Sequence, residues 1–265
     1  VRVKFQLGLL AAIAGVSLLL YQFPPQNVSV KLVGNGLQVL GNGIGIWYVS
    51  QAFRAFGRED RVRVGWLLLS LSLVANTLGF AFFGALELMG ASDPFPSVAD
   101  VFWLFYYPLQ LVGIVVLSRE YKRSGLSLPA GRGAWLAGAT AALLACIFLV
   151  VPYVRDDSLT GLNKTLLVLY PLGDAVSIGG AWFMASLMRP FGRGALTWPW
   201  WSMVSGTVLF AVSDSGYALM ALHDLYHTGM FIDLGWVFGG LFMALGGWLQ
   251  HRIMTYDLTA GGGLR

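Results

Sequence analysis

Two aspartates, Asp174 and Asp214, stand deep inside apolar runs, in the segments YPLGDAVSIGG and FAVSDSGYALM. An ionisable side chain within a lipid-spanning helix costs about 2.5–3.5 kcal/mol on insertion scales, so it faces a cavity, a partner or an ion path. At 1.5 Å per residue, Asp174 lies about 15 Å from the start of its run at Lys164, and Asp214 about 12 Å from the end of its run at Leu222. The two acids therefore sit at similar depth. Tyr217 shares a helical face with Asp214, and Tyr170 precedes Asp174 by one turn. One reading is a polar, ligand-binding pocket lined by Asp174, Asp214, Tyr217, Tyr170 and Asn76. The other has each acid hydrogen-bonded to a neighbouring helix through Tyr, Ser or Asn76.

Other chemistry-bearing residues point to structure. Asp100 and Asp233 each fall in a helix first turn, where the helix dipole stabilises a carboxylate by about 0.3–1 kcal/mol, so capping is the preferred role. Pro94 and Pro96 forbid helix behind them, and Ser97, three residues before Asp100, reads as the N-cap of a helix starting near Val98. His223 and His227 are one turn apart with Asp224 between them, a weak metal candidate without a third ligand. An interfacial polar cluster explains them better. His251 belongs to the opposite face, so haem held by histidines across the membrane is not expected, and no lysine lies deep in a run to carry a retinal Schiff base. Cys146 is the one cysteine, which excludes a disulfide framework and a thiolate metal site. There is no phosphate loop, nucleophile elbow, HExxH or CxxC, so no catalytic residue or enzymatic activity is assigned and the cofactor is left unknown.

The elements that must position these residues are membrane helices. Hydrophobic residues make up 57% of the chain and charged residues 11%, against about 25% charged in soluble domains. The mean hydropathy is +0.68. A span needs about 20 apolar residues, and eight such segments are expected: Val3–Phe23, Val30–Phe53, Val64–Met89, Val98–Leu117, Ala134–Val154, Lys164–Met188, Thr197–Leu222 and Phe231–Gln250. The first lacks a small-x-small cleavage site, ending in Tyr21, Gln22, Phe23, Pro24 and Pro25, and is taken as a span rather than a secretory signal. Of the 17 Lys and Arg residues, all but Lys31, Arg155 and Lys164 fall on one side, which predicts cytoplasmic N and C termini. The net charge of +4 thus reflects topology determinants in short turns, not a nucleic-acid surface. Pro108 and Pro171 should kink the fourth and sixth segments, and the glycines crowding segments two and eight read as packing.

Internal similarity divides the eight helices into two sets of four. WYVSQAFRAFGR (Trp47 to Arg58) aligns with WFMASLMRPFGR (Trp182 to Arg193), the stretch Ala75 to Phe80 with Val212 to Tyr217, and Asp100-Val101-Phe102-Trp103 with Asp233-Leu234-Gly235-Trp236. Each unit has an even number of helices, so the expected fold is all-α, a polytopic membrane protein of two parallel four-helix repeats. The expected units are residues 1–123, residues 124–252 and a flexible cytoplasmic tail, 253–265.

The run PFPSVADVFWLFYYPL, from Pro94 to Leu109, resembles the membrane sensor regions at the N-terminus of bacterial signalling proteins, especially GGDEF-type diguanylate cyclases, often with EAL domains, and some histidine kinases. Ser97, Asp100, Trp103, Tyr107 and Pro108 carry that similarity; YPLGDAV, Asp214-Ser215-Gly216-Tyr217, Asp233 and Trp236 resemble later motifs of the same region. The resemblance implies a bacterial inner-membrane sensor that passes a signal to a cytoplasmic output domain, and it supplies no catalytic residues. Such sensors continue the last helix into the output domain. Here the sequence ends at Gly261-Gly262-Gly263-Leu264-Arg265, so the expectation is an output domain beyond it or a stand-alone relative.

The expected function is thus a sensor or receptor of a small or lipidic ligand, a cation among the candidates, taken from the periplasmic side. Membrane lipid, a cytoplasmic output domain or protein, and a second copy in a homodimer are the expected partners. The alternatives are a small permease using its mid-membrane acids, or a lipid- or pigment-binding subunit of a larger complex.

Overall fold

In a computed structural model, residues 2–23, 29–91, 94–124, 136, 139–140, 143–144, 146–156, 159–187, 196–221, 223 and 225–259 are described, and helix is their only regular structure. The apolar runs form α1 (Arg2–Gln22), α2 (Val30–Ala55), α3 (Val62–Leu88) and α4 (Val98–Arg123). A π-helical turn, Cys146–Val150, leads into the short α5 (Val151–Arg155), followed by α6 (Gly161–Leu187) and α7 (Trp198–Ala221). A 3-10 turn, Phe231–Asp233, precedes α8 (Leu234–Thr259).

Local chemistry sets the ends. Ser97 and Asp100 form a capping box at α4: the Ser97 hydroxyl accepts from the Ala99 amide at 3.2 Å, and the Asp100 carboxylate from the Ser97 amide at 2.6 Å. α6 starts at Gly161, three residues before the expected Lys164, because the Thr160 hydroxyl accepts from the Asn163 amide at 3.3 Å and caps an earlier turn. Gly90, at φ +104°, takes the left-handed conformation that ends α3. Pro108 and Pro171 lie inside α4 and α6 without ending them.

Five of the described helices are long and apolar enough to cross a membrane: α3, α4, α6, α7 and the stretch Phe231–Thr255. α2 has the length, but it buries Asn35, Gln38 and Asn42 among its neighbours, which lowers its hydropathy. In α1 the apolar stretch is Gln6–Gln22. Of the expected fifth segment, Ala134–Val154, residues 134–135, 137–138, 141–142 and 145 lie outside the described residues, as do Met188 to Arg193 of the first internal match. α8 runs on past the expected end of its span at Gln250 as far as Thr259, with neither Gly nor Pro interrupting it before Gly261.

The long helices close into a ring in the order α2, α3, α4, α6, α7, α8 and back to α2. α1 packs outside, against α8 and α2. The α2–α8 seam is backbone on backbone: a Cβ at Gly240 would lie 2.7 Å from Gly41 backbone atoms, and one at Gly247 2.6 Å from the Val49 nitrogen. Asn42, fully buried there, donates to the Gln38 carbonyl at 2.9 Å and the Trp236 carbonyl at 3.3 Å, and accepts from Asn76 at 3.2 Å. One end of the ring carries Arg54, Arg58, Arg61, Arg63, Arg119 and Arg123 and is filled by Trp66, Trp200, Leu117 and Met184. There Arg63 lies 5.3 Å over Phe53 and Arg252 5.2 Å over Trp248, placing charge on aromatic faces. The other end, where α4 and α6 begin and α3 and α7 stop, is acidic.

Candidate functional site

Inside the acidic end the ring encloses a cavity whose volume open to the centres of water molecules is about 80 Å³. That is room for several waters or one small organic molecule. The five residues of the expected ligand pocket, Asp174, Asp214, Tyr217, Tyr170 and Asn76, line it together with the motif residues Asp100, Trp103, Tyr107 and Trp236. Each deep acid is held on one oxygen by an aromatic donor from another helix. The Tyr107 hydroxyl of α4 donates to Asp174 Oδ1 of α6 at 2.9 Å, and the Trp236 indole of α8 donates to Asp214 Oδ1 of α7 at 2.7 Å. The two acids thus face one cavity from different helices.

The short motifs explain each other in three dimensions. In YPLGD, the Tyr170 hydroxyl donates to Asp100 Oδ1 at 2.5 Å, and Gly173 is the seat of the Tyr107 ring, which would lie 2.6 Å from any Cβ placed there. Trp103 is seated in the same way on Gly79, with 2.4 Å to a hypothetical Cβ, and packs against Phe80 and Phe83 with ring centres 5.6 Å away in both cases. Thus a glycine on one helix admits an aromatic ring from the next, and the ring's polar edge or its neighbour reaches an acid. Pro171 beside this contact also lines the cavity.

Asp100 caps α4, as expected, and also lines the cavity, where it accepts from Tyr170. Asp233 does similar capping with different partners: its Oδ2 accepts from the Gly229 amide at 2.8 Å and its Oδ1 from the Tyr226 hydroxyl at 3.2 Å. It is buried but does not line the cavity. Tyr226, in the connection between α7 and α8, does line it, and burial first, then Asp233, pushes its phenol above the ordinary tyrosine range. His223 and His227 are exposed and take no part in the cavity. Among the described residues no group of three or more His, Cys, Asp or Glu side chains could hold a metal.

Sequence reasoning missed Gln38 and Tyr106 in the cavity wall, and a polar latch outside it. Buried Glu87 accepts from Asn35 at 2.7 Å and from the Thr228 hydroxyl at 2.8 Å, with half-exposed Lys31 at 3.4 Å. This latch joins α2 and α3 to the connection that carries Tyr226. An acid and an asparagine inside apolar runs were the available signal, but their pairing spans distant parts of the chain. Compared with protein-family models, with curated proteins and with solved structures, the chain has no match.

Proposed function

We propose that this chain is an integral membrane sensor that takes a small ligand from the outer face of the bacterial inner membrane and signals to a cytoplasmic output domain or partner. The observation that carries this reading is the cavity in which two mid-helix acids from different helices are brought together and oriented by aromatic donors. In this reading all eight expected segments span, and the arginine end and both termini are cytoplasmic. Two parallel four-helix repeats build the ring. Its order supports them: exchanging α2, α3 and α4 for α6, α7 and α8 turns every neighbouring pair into another neighbouring pair.

A route to the output is supported by α8. Its first turn carries Trp236, bonded to Asp214, and its helix continues to Thr259, about 13 Å beyond Gln250 at 1.5 Å per residue. A ligand that engages Asp214 competes with Trp236 and so biases α8. The resemblance to GGDEF-linked sensors makes a cyclic-dinucleotide enzyme the output to test. Fused to such a domain, the chain should change its product level when Asp174→Asn or Asp214→Asn is introduced; unchanged output in both would refute the reading. A permease is the second reading, favoured by a smaller cavity deeper in the ring that Gln110, Ser72 and Thr207 line, and Gln110 itself donates to Tyr106 of the first cavity at 2.8 Å. Substrate-dependent flux in proteoliposomes would establish it.

A further inference from the structure

We infer that the cavity recognises an organic ammonium group, held between the Asp174 and Asp214 carboxyls and the faces of the surrounding aromatic rings. The inference rests on the sensor reading only in taking this cavity as the ligand site.

Charge comes first. Among the described residues the lining contains Asp100, Asp174 and Asp214 and no Lys, Arg or His. Asp174 and Asp214 face the same small cavity, and among the described residues no protein cation in its lining balances them. Two carboxyls in that position are held together by a shared proton or by a cation.

The hydrogen-bond inventory then limits what the walls offer. The Tyr107 hydroxyl, the Tyr170 hydroxyl and the Trp236 indole N–H are all turned onto the protein's own acids. The Trp103 indole N–H, buried without a partner, and the Ser215 hydroxyl are donors left over in the lining; acceptor oxygen from three acids and aromatic face make up the rest of what the walls offer. An anion would meet three acids here; a ligand that brings positive charge and C–H or N–H groups finds both partners it needs. The rings are set at angles to one another, as a box requires. Tyr106 and Tyr107 stand at 70° with centres 5.2 Å apart, Tyr107 and Tyr170 at 59° and 6.4 Å, and Tyr217 and Trp236 at 56° and 6.2 Å. Cations bind over such faces within about 6 Å of a ring centre.

Size selects a compact head. A volume of about 80 Å³ open to water centres suits a small ammonium group and not an acyl chain. The group could belong to a free amine or to a lipid headgroup.

The test uses the purified full chain in nanodiscs of phosphatidylglycerol, which has no ammonium headgroup. Choline and its uncharged carbon analogue, 3,3-dimethylbutan-1-ol, are titrated by calorimetry. The expected result is that choline binds at least tenfold more tightly than the neutral analogue, and that Asp174→Asn and Asp214→Asn each weaken choline at least tenfold while eluting as the native protein does. Choline binding that disappears in nanodiscs of phosphatidylcholine assigns the site to a lipid headgroup; binding retained there assigns it to a free amine. If either variant fails to fold, the comparison of choline with its analogue decides alone. Equal binding of the two compounds, or binding of neither, overturns the inference. An altered output in the fused sensor carrying Asp174→Asn would still stand apart from that failure and preserve the sensor reading.

Discussion

Gly79→Ala tests the way one helix seats an aromatic ring of the next. The new Cβ would lie 2.4 Å from Trp103 Cδ1 and Nε1, far inside van der Waals contact. The indole cannot swing clear, because Phe80 and Phe83 hold it with ring centres 5.6 Å away. Overpacking of this kind costs about 1–3 kcal/mol. From that is subtracted the gain of about 0.5–1 kcal/mol that alanine has over glycine within a helix, leaving a net loss of up to about 2.5 kcal/mol, while the difference from an unhindered Gly→Ala control is the full overpacking cost. Gly36 and Gly43 are internal controls: nothing lies within 4 Å of a Cβ at either, so alanine there should be neutral or slightly stabilising. Trp103→Leu in the Gly79→Ala background removes the clash and should give a non-additive cycle with a coupling of about 1 kcal/mol. Reversible unfolding in mixed micelles measures all of these. Equal stability of Gly79→Ala and Gly36→Ala, or additivity of Gly79→Ala with Trp103→Leu, would refute the seating argument.

Further predictions come from the seam, the latch and the loop tyrosine. Gly247→Ala should destabilise more than Gly79→Ala, because its Cβ would meet Val49 backbone at 2.6 Å rather than a side chain, and the same unfolding assay ranks them. Glu87→Gln should lower stability by about 1–3 kcal/mol through the bonds it weakens with Asn35, Thr228 and Lys31. Lys31→Met should cost under about 1 kcal/mol, since this lysine is 38% exposed. The raised Tyr226 phenol keeps its proton in the folded state above about pH 10, where an unfolded tyrosine loses it. Stability should therefore fall as pH rises past about 10, because the unfolded state then binds fewer protons, and Tyr226→Phe should lessen that fall.

The helices were legible because apolar runs interrupted by proline, glycine and capping residues need no long-range information. Ser97 and Asp100 announce the start of α4 from four consecutive residues, and the structure has the capping box there. The depth of Asp174 and Asp214 was also legible, from rise per residue alone. What they touch was not. Tyr107 reaches Asp174 and Trp236 reaches Asp214 across helix boundaries, and a period of 3.6 residues says which face a side chain takes but not which helix meets it. α2 was harder still, since Asn35, Gln38 and Asn42 dilute its hydropathy for the same reason that it sits centrally: they bond α3, α8 and its own backbone. The helical extension to Thr259 was hidden by the glycines that follow it.

The central claim is that Asp174 and Asp214 work as one site. A double-mutant cycle read in the fused output domain tests it, with Asp174→Asn, Asp214→Asn and the pair compared at equal expression. One shared site predicts that each single change alters output and that the double variant goes no further than the stronger single one. Output unchanged by both substitutions, or effects that simply add, would contradict it.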